Sequence, residues 1–193
     1  TKKVSSRYAV AVNSATSALH IGCLALGVTN NDFVWTSPIS FVASANCALY
    51  CGAKIDFIDI DPTTGLISLD NLKNKLEFAK SINSLPKVVI PVHLGGASCE
   101  MREIYKLSEI YDFYIIEDAS HAIGGKYNNA PVGNCKYSSM TIFSFHPVKI
   151  ITSGEGGMIT TNDKSLAQKI KKLRSHGIVK EPEEFLVKEN YPW

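Results

Sequence analysis

The sequence predicts an α/β domain in which a mostly parallel sheet carries helices on both faces. Three observations predict it. Short apolar runs alternate with segments of helical periodicity along most of the 193 residues, the pattern of successive βα units. The stretches 87–92 (KVVIPV) and 113–116 (FYII) are almost continuously apolar, as strands covered on both faces must be. No internal repeat, low-complexity tract or Pro/Gly/Ser-rich linker divides the chain, so a single domain over residues 1–193 is expected.

The elements follow in order. Residues 8–12 form a first strand and 15–26 a first helix, in which Leu19, Cys23 and Leu26 share a face and Gly27 supplies the stop. Residues 33–36 read as a strand, 40–50 as a helix closed by Gly52, and 54–58 as a strand before the Asp61-Pro62 turn. Leu69, Leu72 and Leu76 place a helix over 69–79, followed by the strand at 87–92 and a helix at 100–111. The strand at 113–116 ends on Glu117-Asp118. Two more strands, 140–145 and 157–161, bracket a Gly-rich turn, and an amphipathic helix covers 165–174. Residues 177–193 lose periodicity and read as a stretch cut from a longer chain.

Charge and composition exclude several classes of function. Lys and Arg total 20 against 18 Asp and Glu, a net charge of +2, so no strong field is available for nucleic acid or a membrane surface. The one dense basic stretch, 169–174, reads as the solvated face of the last helix. Five cysteines, an odd number scattered through apolar segments, fit free thiols in a reducing cytoplasm. Neither a long apolar span nor a signal-peptide core is present, so no membrane span or export signal is expected. His93, Cys99, His121, Cys135 and His146 show no metal-ligand spacing, and no metal is expected. The sequence contains no G-x-G-x-x-G after a strand, no G-x-x-x-x-G-K-[ST] and no G-x-S-x-G.

Ligands of parallel sheets gather at the carboxyl ends of the strands, which directs attention to the residues that follow them. After the first strand, Asn13-Ser14-Ala15-Thr16-Ser17 opens a helix whose free amides suit a phosphate; taken alone, an ordinary cap by Ser14 is the simpler reading. After the second, Phe41 is placed either to stack on a flat ligand or to join the core. Asp118 ends a strand three residues before His121, as a turn cap or as the partner of a cationic heteroaromatic nitrogen. The most specific segment, 143–157, sets Lys149 among apolar residues, five positions after Ser144 and before Gly154-Glu155-Gly156-Gly157. An apolar setting favours the uncharged amine that Schiff-base chemistry needs; a strand-end lysine with its charge in solvent is the alternative.

Taken together, NSATSAL (13–19), EDASHA (117–122), SFHPVK (144–149) and GEGG (154–157) resemble the DegT/StrS family of nucleotide-sugar aminotransferases, pyridoxal-phosphate enzymes with the type I fold of aspartate aminotransferase. The resemblance spans nearly the whole chain. It implies that Lys149 tethers the cofactor covalently and moves the proton of the reaction, and that Asp118 pairs with the pyridine nitrogen. It also implies that Ala15, Thr16, Ser17 and Ser144 hold the phosphate, that Phe41 stacks on the ring, and that His121 meets the ring face or its phenolic oxygen.

The stretch 34–54 with SFHPVK is most similar to the branch that aminates C4 of a UDP-linked 4-keto-6-deoxy sugar, with L-glutamate as donor, on the way to pseudaminic acid and flagellin glycosylation. The segment 93–99 departs from the Cys- and Gln-containing version of that branch. Family members are about twice as long and usually homodimeric, so residues 1–193 are expected to be an incomplete large domain. Such a piece lacks an N-terminal arm and a C-terminal small domain, and is inactive alone. Sugar aminotransfer of other regiochemistry or nucleotide specificity is the alternative within the family. Dehydratase relatives carry histidine in place of the lysine, which Lys149 argues against. A non-catalytic or truncated protein on the same scaffold is the remaining alternative; joint retention of Thr16, Asp118, Ser144 and Lys149 argues against decay of the site.

Overall fold

The computed structural model describes residues 1–178, so most of the aperiodic stretch 177–193 lies outside the described residues. In chain order the strands are β1 (Tyr8–Val12), β2 (Phe33–Thr36), β3 (Lys54–Phe57), β4 (Val88–Ile90), β5 (Tyr114–Asp118), β6 (Lys126–Tyr127), β7 (Ala130–Pro131), β8 (Met140–Ser144) and β9 (Gly157–Thr161). The helices are α1 (Ala15–Ala25), α2 (Ala43–Tyr50), α3 (Leu69–Ser81), α4 (Met101–Tyr111) and α5 (Lys164–Arg174). Seven strands form one sheet in the order β1-β9-β8-β5-β4-β2-β3, while β6 and β7 form a separate small hairpin.

Pairing is parallel from β3 through β2, β4 and β5 to β8, and β9 alone runs against the rest, antiparallel to both β8 and β1. The reversal has a local cause. The connection from β8 to β9 contains no helix, and a return without a crossover helix places the next strand antiparallel.

Alternation along the strands sorts the core into two layers. Val34, Val88, Ile90 and Ile116 pack with α1, α2 and α5, whereas Trp35, Val89 and Ile115 pack with α3 and α4. Val88, Val89 and Ile90 are all 0% exposed, so β4 is covered on both faces, as its continuous apolar run requires. Local chemistry sets the helix ends. Ser68 caps α3 by accepting the Asn71 amide, with Asp70 in the first turn and Lys80 in the last, matching the helix dipole.

The structure differs from the pattern read in the sequence at several points, and β4 covers only Val88–Ile90 of the strand read over 87–92. Helix α2 begins at Ala43 rather than at residue 40; its N-cap, Val42, makes no side-chain cap bond, and the Ser40 hydroxyl bonds to the Ser44 hydroxyl at 2.8 Å. The hairpin β6–β7 turns through Asn128 and Asn129, both at positive φ, and its two-residue strands are too short to leave a period in the sequence. Residues Leu94–Gly96 form a single short turn between the strand read at 87–92 and the helix read at 100–111, where no element was read.

Leu76 lies at 0% exposure between α3 and the sheet. Leu76→Ala is expected to lower unfolding free energy by about 2–5 kcal/mol, measured as the shift of the urea midpoint at unchanged m-value.

Candidate active site

The polar segments after β1, β2, β5 and β8 meet at one end of the sheet around a cavity of about 350 Å³. Sequence distant residues converge there: Ala15, Thr16, Phe41, Asp118, His121, Ser144 and Lys149 all line it.

The wall at the start of α1 is built by Ser14, whose extended backbone and side chain cap the helix by accepting the Ser17 amide at 3.1 Å. Ala15 and Thr16 are the first helical residues, and their amides have no carbonyl one turn back to bond within the helix. They therefore offer donors to an anion. The Ser17 amide is engaged by Ser14 Oγ, and the Ser17 hydroxyl accepts from the same oxygen at 3.1 Å, which leaves the hydroxyl proton as the donor Ser17 has to offer. The helix start is seated on Gly157: a Cβ there would stand 2.5 Å from the Ser14 carbonyl carbon and oxygen.

Asp118 closes β5 at 4% exposure. One carboxylate oxygen accepts the Ser44 hydroxyl at 2.6 Å and the other the Ser120 amide at 3.1 Å. Ser44 has one proton and donates it to Asp118, so the Ser40–Ser44 bond has Ser40 as donor and the two hydroxyls form a relay ending on the carboxylate. Asp118 thus caps the turn and also presents a buried negative charge to the cavity.

Lys149 follows β8 in a tight turn, its amide donating to the His146 carbonyl at 2.9 Å. The loop is pinned at its root by Phe145, which donates to the Gly156 carbonyl and accepts from the Ser153 amide and the Thr152 hydroxyl. Lys149 is half-buried and Ser144, at the end of β8, is 6% exposed. Phe41 stands at the rim with 68% of its surface exposed, and exposed Val148, Ile150 and Ile151 on the lysine loop continue the apolar rim.

His121 feels both charges. Burial and the nearby Lys149 ammonium push its imidazole below the ordinary 6.5, against an opposing pull from Asp118. Its Nδ1 accepts the Gly95 amide at 3.3 Å, which leaves the proton of the neutral ring on Nε2.

Four contributors were not read from the sequence: Ser40, Ser44, and the pair His93 and Glu117. Two hydroxyls one turn apart, Ser40 and Ser44, at the start of a helix of small apolar residues were the available signal. His93 Nε2 lies 2.8 Å from Glu117 Oε2 although the residues are 24 apart in sequence. Burial disfavours charge on this imidazole, yet the neighbouring Cys99 and Glu117 side chains hold its pKa up at about 10; the Cys99 amide 3.2 Å from Nδ1 needs a bare nitrogen there, so the hydrogen-bond geometry places the proton on Nε2, donated to Glu117. Among the described residues no group of three His, Cys, Asp or Glu side chains is arranged to hold a metal, and no helix is long and apolar enough to cross a membrane.

An anion-receiving helix end, a buried carboxylate and a primary amine facing one cavity suit a ligand with a phosphate, a cationic ring nitrogen and a carbonyl. Fold and site define the class: an α/β domain with its ligand cleft at the carboxyl ends of parallel strands. Within that class the chain belongs to the DegT/DnrJ/EryC1/StrS aminotransferase family, which residues 1–191 match.

It is 45% identical over 174 residues to a UDP-4-amino-4,6-dideoxy-N-acetyl-beta-L-altrosamine transaminase of Campylobacter jejuni, covering 90% of this chain and 44% of that protein. Among solved structures it is similar to Helicobacter pylori PseC, an aminotransferase involved in the biosynthesis of pseudoaminic acid, with TM-score 0.82 and 34% identity over 99% of this chain and 49% of that one. NtdA of Bacillus subtilis, solved with bound cofactor PMP, matches with TM-score 0.76 and 33% identity over 86% of this chain and 36% of that one. The chain spans less than half the length of the curated relatives it matches.

Two measurements follow from this geometry. Gly157→Ala is expected to displace the start of α1 and cost about 1–3 kcal/mol in urea unfolding, with loss of phosphate binding. In the cofactor-free protein the NMR titration of His121 is expected below 6.5. Lys149→Ala removes a repelling cation and raises the midpoint, whereas Asp118→Asn removes an attracting anion and lowers it further.

Proposed function

We propose that this chain is the cofactor-binding large domain of a pyridoxal-phosphate-dependent nucleotide-sugar aminotransferase. The observation that carries the reading is the joint placement of buried Asp118, half-buried Lys149 and the free start of α1 around one cavity. The donor set fits the cofactor. The Ala15 and Thr16 amides and Ser144 would hold its phosphate, Asp118 its ring nitrogen, Lys149 its aldehyde carbon, Phe41 its outer face, and His121 the ring's remaining polar edge. Ser17 supports this set from behind through its bond to Ser14.

When bound, pyridoxal phosphate supplies an electron sink and carries the amino group from donor to acceptor. The protein's part is to place charges and protons. Asp118, held in place by the Ser44 hydroxyl and the Ser120 amide, would pair with the protonated ring nitrogen. Lys149 would serve as tether and, as a free amine, as the base that holds the proton of the exchange. The neutral Nε2–H of His121, which lines the same cavity, would offer a hydrogen-bond donor there.

The finer reading is transfer from L-glutamate to C4 of a UDP-linked 4-keto-6-deoxy sugar, on the route to pseudaminic acid. The altrosamine transaminase of Campylobacter and the Helicobacter enzyme support it by similarity. Amination at another carbon, or on another nucleotide, is the alternative within the same chemistry. The working protein is read as a cytoplasmic homodimer in which an N-terminal arm and a small C-terminal domain complete the site. The exposed Phe41, Val148, Ile150 and Ile151 at the rim are surfaces such parts would cover.

The test is the visible spectrum of the full-length protein with pyridoxal phosphate. A band from lysine-tethered cofactor is expected, bleached by L-glutamate, and absent in Lys149→Ala. A wild-type protein that never develops the band would sink the proposal.

A further inference from the structure

The cofactor contacts leave one buried polar unit without a role. His93 is 0% exposed and gripped on both nitrogens, by Glu117 on Nε2 and by the Cys99 amide on Nδ1, while its own amide donates to the Asp118 carbonyl at 3.0 Å. Glu117 is in turn held by the hydroxyls of Ser138 and Thr141. A buried carboxylate and imidazole linked in this way are costly unless every polar atom is satisfied, and here they are.

Between His93 and Cys99 the chain makes the Leu94–Gly96 turn, with φ of 62° at Gly95 and 91° at Gly96. The Gly95 amide is the donor to His121 Nδ1, and a Cβ on Gly96 would stand 2.9 Å from the His121 carbonyl oxygen. One end of the turn is therefore wedged against His121 and the other is tied to His93.

We infer that His93 is a positioning residue: by accepting the Cys99 amide it clamps the 94–99 turn, so that the Gly95 amide holds His121 in its seat with the ring proton on Nε2. What His121 then does for the cofactor rests on the proposed function; its seat does not. The two bonds of His93 have separable consequences. The Glu117 bond satisfies a buried charge and governs stability, whereas the Cys99 bond governs the turn and, through it, the site.

Two substitutions divide them. Asn at 93 keeps an acceptor near the Nδ1 position but does not reach Glu117; Gln reaches Glu117 but leaves the Cys99 amide unpaired. A purely structural role makes His93→Gln the milder change in every readout, because the buried carboxylate keeps its donor. A positioning role reverses the order at the site while leaving it in stability: His93→Gln melts higher than His93→Asn, yet it is the Gln variant that loses the His121 geometry.

The experiment is 15N NMR of the imidazoles in cofactor-free full-length protein, with thermal unfolding and a pyridoxal phosphate titration alongside. His121 is expected as a single Nε2-protonated tautomer in wild type and His93→Asn, and as a tautomer mixture in His93→Gln. Cofactor affinity is expected to fall about tenfold in His93→Gln, the size of one unmade buried hydrogen bond, and less in His93→Asn. Wild type alone provides a second check that needs no variant to fold: a through-hydrogen-bond coupling between the Cys99 amide nitrogen and His93 Nδ1. A doubly protonated His93 without that coupling overturns the inference, as does a His121 signal unchanged in His93→Gln. If the imidazole results hold while wild type binds no pyridoxal phosphate, the functional proposal fails and the positioning role stands.

Discussion

A carboxylate at 4% exposure has to be paired, and the pairing of Asp118 organises this end of the molecule. Its partners come from two places, the Ser44 hydroxyl on α2 and the Ser120 amide in the turn that follows β5. Because Ser44 is itself held by Ser40, the start of α2 cannot move without loosening the carboxylate, and Phe41 lies between those two serines. The same residue's backbone joins the next connection through the His93 amide. Anchoring at the centre of the sheet also suits the position, since β5 lies between β4 and β8 and is braced on both sides.

Glu117 and Asp118 are neighbours whose side chains leave opposite faces of β5. The division of labour between them follows. Asp118 turns towards α1 and α2 and the cavity, while Glu117 turns to the other side and is consumed by His93, Ser138 and Thr141. Two adjacent acids thus avoid sharing one pocket, where mutual repulsion would protonate one of them. The lysine arrives by a different device. The connection from β8 to β9 has no crossover helix, so residues 145–156 remain at the carboxyl end of β8 and Lys149 stays beside the strand end that carries Asp118. The reversal of β9 also sets Gly157 opposite Val12, directly under the start of α1.

Much of this was legible beforehand. Helices α1, α3, α4 and α5 and the strands of the main sheet lie within a few residues of their periodic segments, because apolar spacing, caps and stop residues act over a single turn or pleat. The strand-end rule directed attention to these segments, while a shared site for Thr16, Asp118, His121, Ser144 and Lys149, which line one cavity, was implied by the family resemblance. Ser44 was not, since a serine inside a helix of small residues has no local mark of a partner 74 positions away. His93 and Glu117 were hidden for the same reason, and the engagement of Ser17 depended on how the Ser14 side chain turned.

The sequence by itself determined the order and type of the elements of the main sheet and its helices, their inward faces, and which chemical groups stand at the strand ends, because each of these is written in the spacing of neighbouring residues. Only the tertiary structure decided which groups meet. The neighbours of β9, the clamp of Ser44 on Asp118, and the grip of Glu117 and Cys99 on His93 all depend on distances between segments remote in the chain, which are set by how two layers of helices pack on one sheet.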